Sequence, residues 1–143
     1  MDGDGSIMLY RHWDRHRGRH YYIIKVRFFN SYLEVLEWVQ AKVGGGSLCP
    51  IPNYNYPNQF RTQKMRYLLD FGRRLAVPLL KRILPYLIVK RRQAEVVLDF
   101  HEKTKRKMNY VRKWKCFYGA RPLNEYEIKL REEYYKKIRE LNR

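Results

Sequence analysis

The sequence predicts an α+β fold: a four-stranded antiparallel sheet made of two hairpins, followed by C-terminal helices. Three observations carry this. Ser6–His12 and Tyr21–Phe29 alternate with a period of two, as half-buried strands do. A helical stripe (Leu33, Leu36, Val39, Val43) separates them from a second pair of extended segments. From Gly72 onward the pattern turns helical.

The chain begins Met1-Asp2-Gly3-Asp4-Gly5, with two carboxylates and two glycines in four positions just before the first strand. Glycine permits tight turns and close backbone approach. A carboxylate displayed there suits Mg2+, which takes oxygen donors and often only one or two of them from protein. The same residues are ordinary turn chemistry, so both readings stand. A calcium loop fits worse, because its closing bidentate Glu would fall on Trp13.

In the first strand Ile7 and Leu9 share one face, and Ser6, Met8, Tyr10 and His12 the other. Gly18 supplies a hairpin turn. The return strand puts Tyr22, Ile24, Val26 and Phe28 inward and Tyr21, Ile23, Lys25 and Arg27 outward. A sheet face bearing cations with aromatics between them can follow phosphates while its side chains reach base edges. Ser31 with Glu34 reads as a capping box opening the helix that Gly44-Gly45-Gly46 ends. Ser47–Asn58 reads as a short strand and a mobile loop. Gln63–Phe71 alternates again, with Met65, Tyr67 and Leu69 inward and Lys64 and Arg66 outward.

Pro78 suits the first turn of a helix carrying Leu79, Leu80, Ile83 and Leu84, and Pro85 stops it. Lys90-Arg91-Arg92 leads into a second helix with Ala94, Val97, Leu98 and His101. Lys103–Lys115 is strongly basic and reads as loop or irregular helix. Asn124 with Glu127 caps the last helix, whose stripe is Tyr126, Leu130, Tyr134, Ile138 and Leu141. Glu125/Lys129, Glu127/Arg131, Glu132/Lys136 and Glu133/Lys137 are i,i+4 pairs in the favourable order.

At 143 residues the chain has the length of one domain. Lys and Arg number 31 against 14 Asp and Glu, a formal net charge of +17. Such a field draws a protein to polyanions, nucleic acid first, with a membrane surface or ribosomal RNA also open. An aromatic content of 15%, with 13 Tyr, leaves enough apolar surface to fold around and argues against a disordered basic tail. Cys49 and Cys116 imply neither a disulfide framework nor a four-thiolate zinc site, and small buried residues are the expectation for both. An intracellular, reducing compartment is expected, without secretion. The apolar run Leu79–Val89 is broken by Lys81-Arg82 and Pro85, so no membrane span is expected. His12, His16 and His20 would line one face of a helix, but across a hairpin they do not converge on a metal. Gly44-Gly45-Gly46 lacks the Lys-Ser/Thr of a P-loop. Trp13, Trp38 and Trp114 read as core or stacking surface.

Asp2-Gly3-Asp4-Gly5-Ser6-Ile7 resembles the second half of the motif that names the LAGLIDADG homing endonucleases. The Gly44-Gly45 turn is similar to that family's, and Leu84-Pro85-Tyr86-Leu87-Ile88-Val89-Lys90-Arg91-Arg92-Gln93-Ala94 is similar to its closing block. The resemblance covers residues 1–100 as a DNA-binding and nuclease core. Residues 101–143 then form a basic segment and amphipathic helix of the same domain. It implies an αββαββα saddle with the first helix missing, since Asp2 directly follows Met1. It also implies a homodimer on double-stranded DNA, because one motif is present, and Mg2+ as cofactor. Asp4 would be the metal-binding carboxylate, Gly3 would help complete the metal site, Lys90 would neutralise charge at the scissile phosphate, and Asn30 would order water. Ser6, Met8, Tyr10, His12, Tyr21, Lys25, Arg27, Lys64 and Arg66 would face the major groove. The implied activity is site-specific cleavage of both DNA strands at an intron- or intein-insertion site. The alternatives are a non-cleaving module on the same fold, such as an RNA maturase or transcriptional regulator, and a ribosome-associated basic protein.

Overall fold

The computed structural model describes residues 5–15, 18–51, 65–105 and 123–142. Strand β1 (Gly5–Asp14) pairs antiparallel with β2 (Arg19–Asn30), from Gly5↔Phe28 to Asp14↔Arg19. Strand β3 (Ser47–Ile51) pairs antiparallel with β4 (Arg66–Gly72), and β4 pairs with Lys25–Asn30 of β2. The four strands form one sheet in the order β1-β2-β4-β3, so the two expected hairpins lie side by side. Side-chain alternation then sorts the sheet into two faces. Ile7, Leu9, Ile24, Val26, Leu69 and Phe71 are buried on the inner one. Met65, expected to share that face, precedes β4 and is half exposed. Cys49 on β3 is exposed, against the expectation of burial.

Helix α1 (Leu33–Val43) buries Leu36 and rests Val39 and Val43 against the core. It has no capping box at Ser31. Its N-cap is Tyr32, and the preceding turn is closed by Asn30, whose Oδ1 accepts from the Tyr32 N–H at 2.9 Å. Asn competes for this position because its short side chain reaches the backbone two residues on. Gly44 ends the helix in the left-handed conformation, as the glycine run predicts. Gly46, at φ +118°, lets the chain lie directly on the Phe71 ring; a Cβ there would stand 2.7 Å from a ring carbon.

Helix α2 (Arg73–Ile83) follows β4 without a loop, so it starts five residues before Pro78 and the proline lies inside it. Pro78 cannot donate to the Arg74 carbonyl, and an internal proline costs a helix roughly 3 kcal/mol. Burial of Val77 and Leu80 offsets this, at about 1.5–3 kcal/mol for each such side chain. Pro85 ends α2 in a 3-10 turn (Leu84–Tyr86), where the sequence places the stop. Helix α3 (Arg91–Thr104) buries Ala94, Val97 and Phe100.

Helix α4 (Glu125–Leu141) carries the predicted capping box of Asn124 and Glu127. Tyr134 and Ile138 of its stripe are buried, whereas Tyr126 is 72% exposed, too near the start of the helix to meet the core. Glu132 does not serve Lys136; its carboxylate is taken by Arg11 and Tyr22 from the sheet. The helix end is tied down twice: Gln93 donates to the Leu141 carbonyl at 2.9 Å, and Asn142 donates to the Ile7 carbonyl at 3.0 Å. Between α3 and α4, the Tyr134 hydroxyl donates to Asp99, and Lys103 lies 3.0 Å from the same carboxylate oxygen. No helix among the described residues is long and apolar enough to cross a membrane.

Two outcomes follow from this packing. Gly46→Ala meets both a forbidden φ and the Phe71 ring, so it is expected to lower unfolding free energy by at least about 1–3 kcal/mol in denaturant titrations. Asp99 is held below its ordinary 3.8, first by the Tyr134 hydroxyl and then by Lys103. A depressed acid contributes stability above its unfolded pKa and loses it as pH falls through the folded one. The melting temperature of the parent should therefore drop more steeply below about pH 4 than that of Asp99→Asn.

Candidate nucleic-acid interface

The outer face of the sheet carries cations, hydroxyls and aromatic rings among a few apolar side chains, because the outward positions of β1 and β2 supply them. Register brings Ser6, Arg27, Asp70 and Ser47 into one row across all four strands. The next row toward the β1–β2 turn holds Met8 and Lys25, then come Tyr10 opposite Ile23 and His12 opposite Tyr21. Arg66 and Leu68 share the face with Asp70, two and four positions before it on β4.

Asp70 organises the centre. Its Oδ2 accepts from Lys25 Nζ at 2.5 Å, and Arg27 Nε lies 3.6 Å from Oδ1. The side chains are 17% exposed for Asp70, 24% for Lys25 and 25% for Arg27, so solvent screens the cluster only in part. Ser6 Oγ, Arg27 Nε and Asp70 Oδ1 are buried without a hydrogen-bond partner among the described residues. Arg27 Nε and Asp70 Oδ1 face each other as the longer of the two ion pairs, so one carboxylate draws both cations to the centre of the face.

Further along, Lys25 Nζ sits 5.6 Å from the Tyr10 ring centroid, and Tyr10 stacks toward His12 at 6.4 Å and 18°. Arg19 covers the Tyr21 ring at 5.2 Å and donates to its hydroxyl at 3.1 Å. This interleaving of cations and ring faces is chemistry suited to a polyanion carrying bases.

Of the residues expected on this face, Ser6, Met8, Tyr10, His12, Tyr21, Lys25, Arg27 and Arg66 are all on it. Asp4, Gly3 and Lys64 lie outside the described residues. Lys90 is half-buried at the N-cap of α3, and Asn30 closes the turn into α1. His12 and His20 fall on opposite faces of the β1–β2 hairpin, His20 packing edge-on against Trp13 at 4.9 Å. Among the described residues no group of three or more His, Cys, Asp or Glu is placed to hold a metal. Sequence reasoning missed Asp70. Its signal was its parity with Arg66 in the alternation of β4, but an acid within a basic face is not what a search for phosphate contacts selects.

No family model matches the sequence, and no curated protein is detectably similar to it. Solved structures are similar in fold. The homing endonuclease I-CvuI, in complex with the I-CreI target, superposes with a TM-score of 0.55 at 22% identity over 71% of this chain. The chain spans 60% of the length of that protein. The homing endonuclease I-TnaI gives a TM-score of 0.57 at 15% identity, covering 98% of this chain and 78% of that one. The archaeal intron-encoded homing endonuclease I-Vdi141I, complexed with DNA, gives 0.50 at 13% identity, covering 93% and 90%. The architecture is that of the homing endonucleases: a four-stranded antiparallel sheet with helices, mixed α and β.

Asp70→Asn removes the charge on which Lys25 and Arg27 converge and leaves two cations side by side. A loss of about 1–3 kcal/mol in unfolding free energy is expected, the range for hydrogen bonds to charged groups and their orphaned partners. Adding Lys25→Met to it should recover part of that loss in the same titration.

Proposed function

We propose that this chain is a site-specific, divalent-metal-dependent endonuclease of double-stranded DNA that works as a homodimer at an intron- or intein-insertion site. The observation that carries this is the outer sheet face, where Lys25, Arg27, Tyr10, His12 and Tyr21 stand together on a fold shared with homing endonucleases. Cations on that face would follow phosphates, and the Arg27 guanidinium would read guanine, the base that Arg commonly contacts. The overall charge of +17 would draw the chain to DNA and make binding salt-dependent.

Asp4 is the metal-binding carboxylate in this reading, one from each copy, with Gly3 beside it. Two carboxylates with phosphate oxygens and water are a hard donor set of the kind Mg2+ takes. When bound, the ion would supply an activated water and neutralise charge on the leaving oxygen. Lys90 would place a fixed positive charge at the phosphate under attack. Asn30 already gives its side-chain oxygen to the Tyr32 N–H, so its amide N–H groups would be the ones that orient water.

Selection from a randomised duplex library, followed by cleavage with and without Mg2+, tests this. The expected result is cutting of both strands at one selected site, abolished by Asp4→Asn with binding retained. Replacing Lys25 by Ala should reduce the salt slope by about 1, and replacing Arg27 by Ala should relax base preference at one position. Cutting by Asp4→Asn at the parent rate would remove the metal assignment. Tight RNA binding without DNA cleavage would favour the non-cleaving maturase reading.

A further inference from the structure

The β1–β2 hairpin outruns the rest of the sheet. β4 pairs with β2 only at Lys25–Asn30, so among the described residues Arg19–Ile24 of β2 and Leu9–Asp14 of β1 pair only with each other. A two-stranded ribbon of this kind is marginally stable alone in water. Yet Tyr10, His12 and Tyr21, the aromatic part of the outer face, sit on it. Something must hold their positions.

Helix α4 lies against the other face of the ribbon. Arg11 and Tyr22 are directly opposite each other across the two strands, and the Glu132 carboxylate bonds both. Its Oε1 accepts from Arg11 Nη1 at 3.1 Å, and its Oε2 accepts from the Tyr22 hydroxyl. Tyr135 completes the contact: its ring packs against Tyr22 at 5.9 Å and 62°, and the Arg11 guanidinium lies 4.8 Å from its centroid. Arg139 approaches the same ring at 5.9 Å. Burial and the hydrogen bond to Glu132 push the Tyr22 hydroxyl up to about 12, so it stays a donor across the physiological range. The helix itself is anchored by Gln93 and Asn142 at its far end.

Successive side chains on a strand alternate faces, so Arg11 is flanked by Tyr10 and His12, and Tyr22 by Tyr21 and Ile23. Fixing the pair beneath fixes the residues above. We propose that Glu132 is a positioning residue, bracing the ribbon through Arg11 and Tyr22 so that Tyr10, His12 and Tyr21 meet the outer base pairs of a DNA site. The DNA half of this rests on the function proposed above; the brace rests on the geometry alone.

Tyr22→Phe, which leaves the net charge unchanged, and Glu132→Gln test it on the full chain. Hydrogen exchange of the ribbon amides (9–14 and 19–24) should quicken by about tenfold in each, as expected for losing a hydrogen bond to a charged group, while exchange at 25–28 stays as in the parent. In library selection, base preference at the outermost positions of the site should relax, with preference at inner positions and the salt slope retained for Tyr22→Phe. Exchange that is unchanged in the ribbon, or that rises equally at 25–28, would overturn the brace. Equal loss of preference at all positions would reduce Glu132 to an ordinary stabilising contact and overturn the positioning role. If the parent selects no DNA sequence, that failure belongs to the proposed function, and the exchange measurement decides the brace alone.

Discussion

Everything else in the structure depends on the two-faced alternation of strand β2. It is paired on both sides, to β1 and β4, and its even-numbered residues Ile24 and Val26 are buried while Lys25 and Arg27 point the other way. A slip of one residue would drive two cations into the core and expose two aliphatic side chains. That register is secured by apolar partners in neighbouring strands: Ile7 and Phe71 flank Val26, and Leu9 faces Ile24. The same constraint that builds the core therefore lines up the cations.

A face made only of cations would repel itself. Asp70 relieves this by standing opposite Arg27 and bonding Lys25. It also keeps both long side chains from sampling many rotamers, an entropy that would otherwise be lost on meeting a partner. The centre of the face is thus ordered by charge, and its far end by aromatic rings and the reach of α4.

The helices solve separate problems. Helix α2 tolerates Pro78 because its neighbours Val77 and Leu80 are buried on the sheet. Helix α3 joins α4 through Asp99, Lys103 and Tyr134. Helix α4 closes over β1, an edge strand, with Asn142 bonding the Ile7 carbonyl. Covering an edge in this way removes a template for unwanted pairing.

The sequence alone determined the elements whose signals are local. The alternation of β1, β2 and β4, the Gly44 stop of α1, the Pro85 stop of α2 and the Asn124–Glu127 cap depend on neighbours within a few residues, and each is present, with β4 beginning at Arg66 so that Met65 falls outside it. The groove-facing residues expected by the sequence that fall among the described residues all lie on the outer face, because strand parity follows from side-chain geometry. The tertiary structure decided what depends on partners distant in the chain. It set the start of α2 ahead of Pro78, where buried side chains outweigh a proline's local preference. It placed Asp70 against Lys25 across 45 positions and Glu132 on Tyr22 across 110. Periodicity and capping rules carry no information over such separations; only the folded packing of sheet and helices brings those charges together.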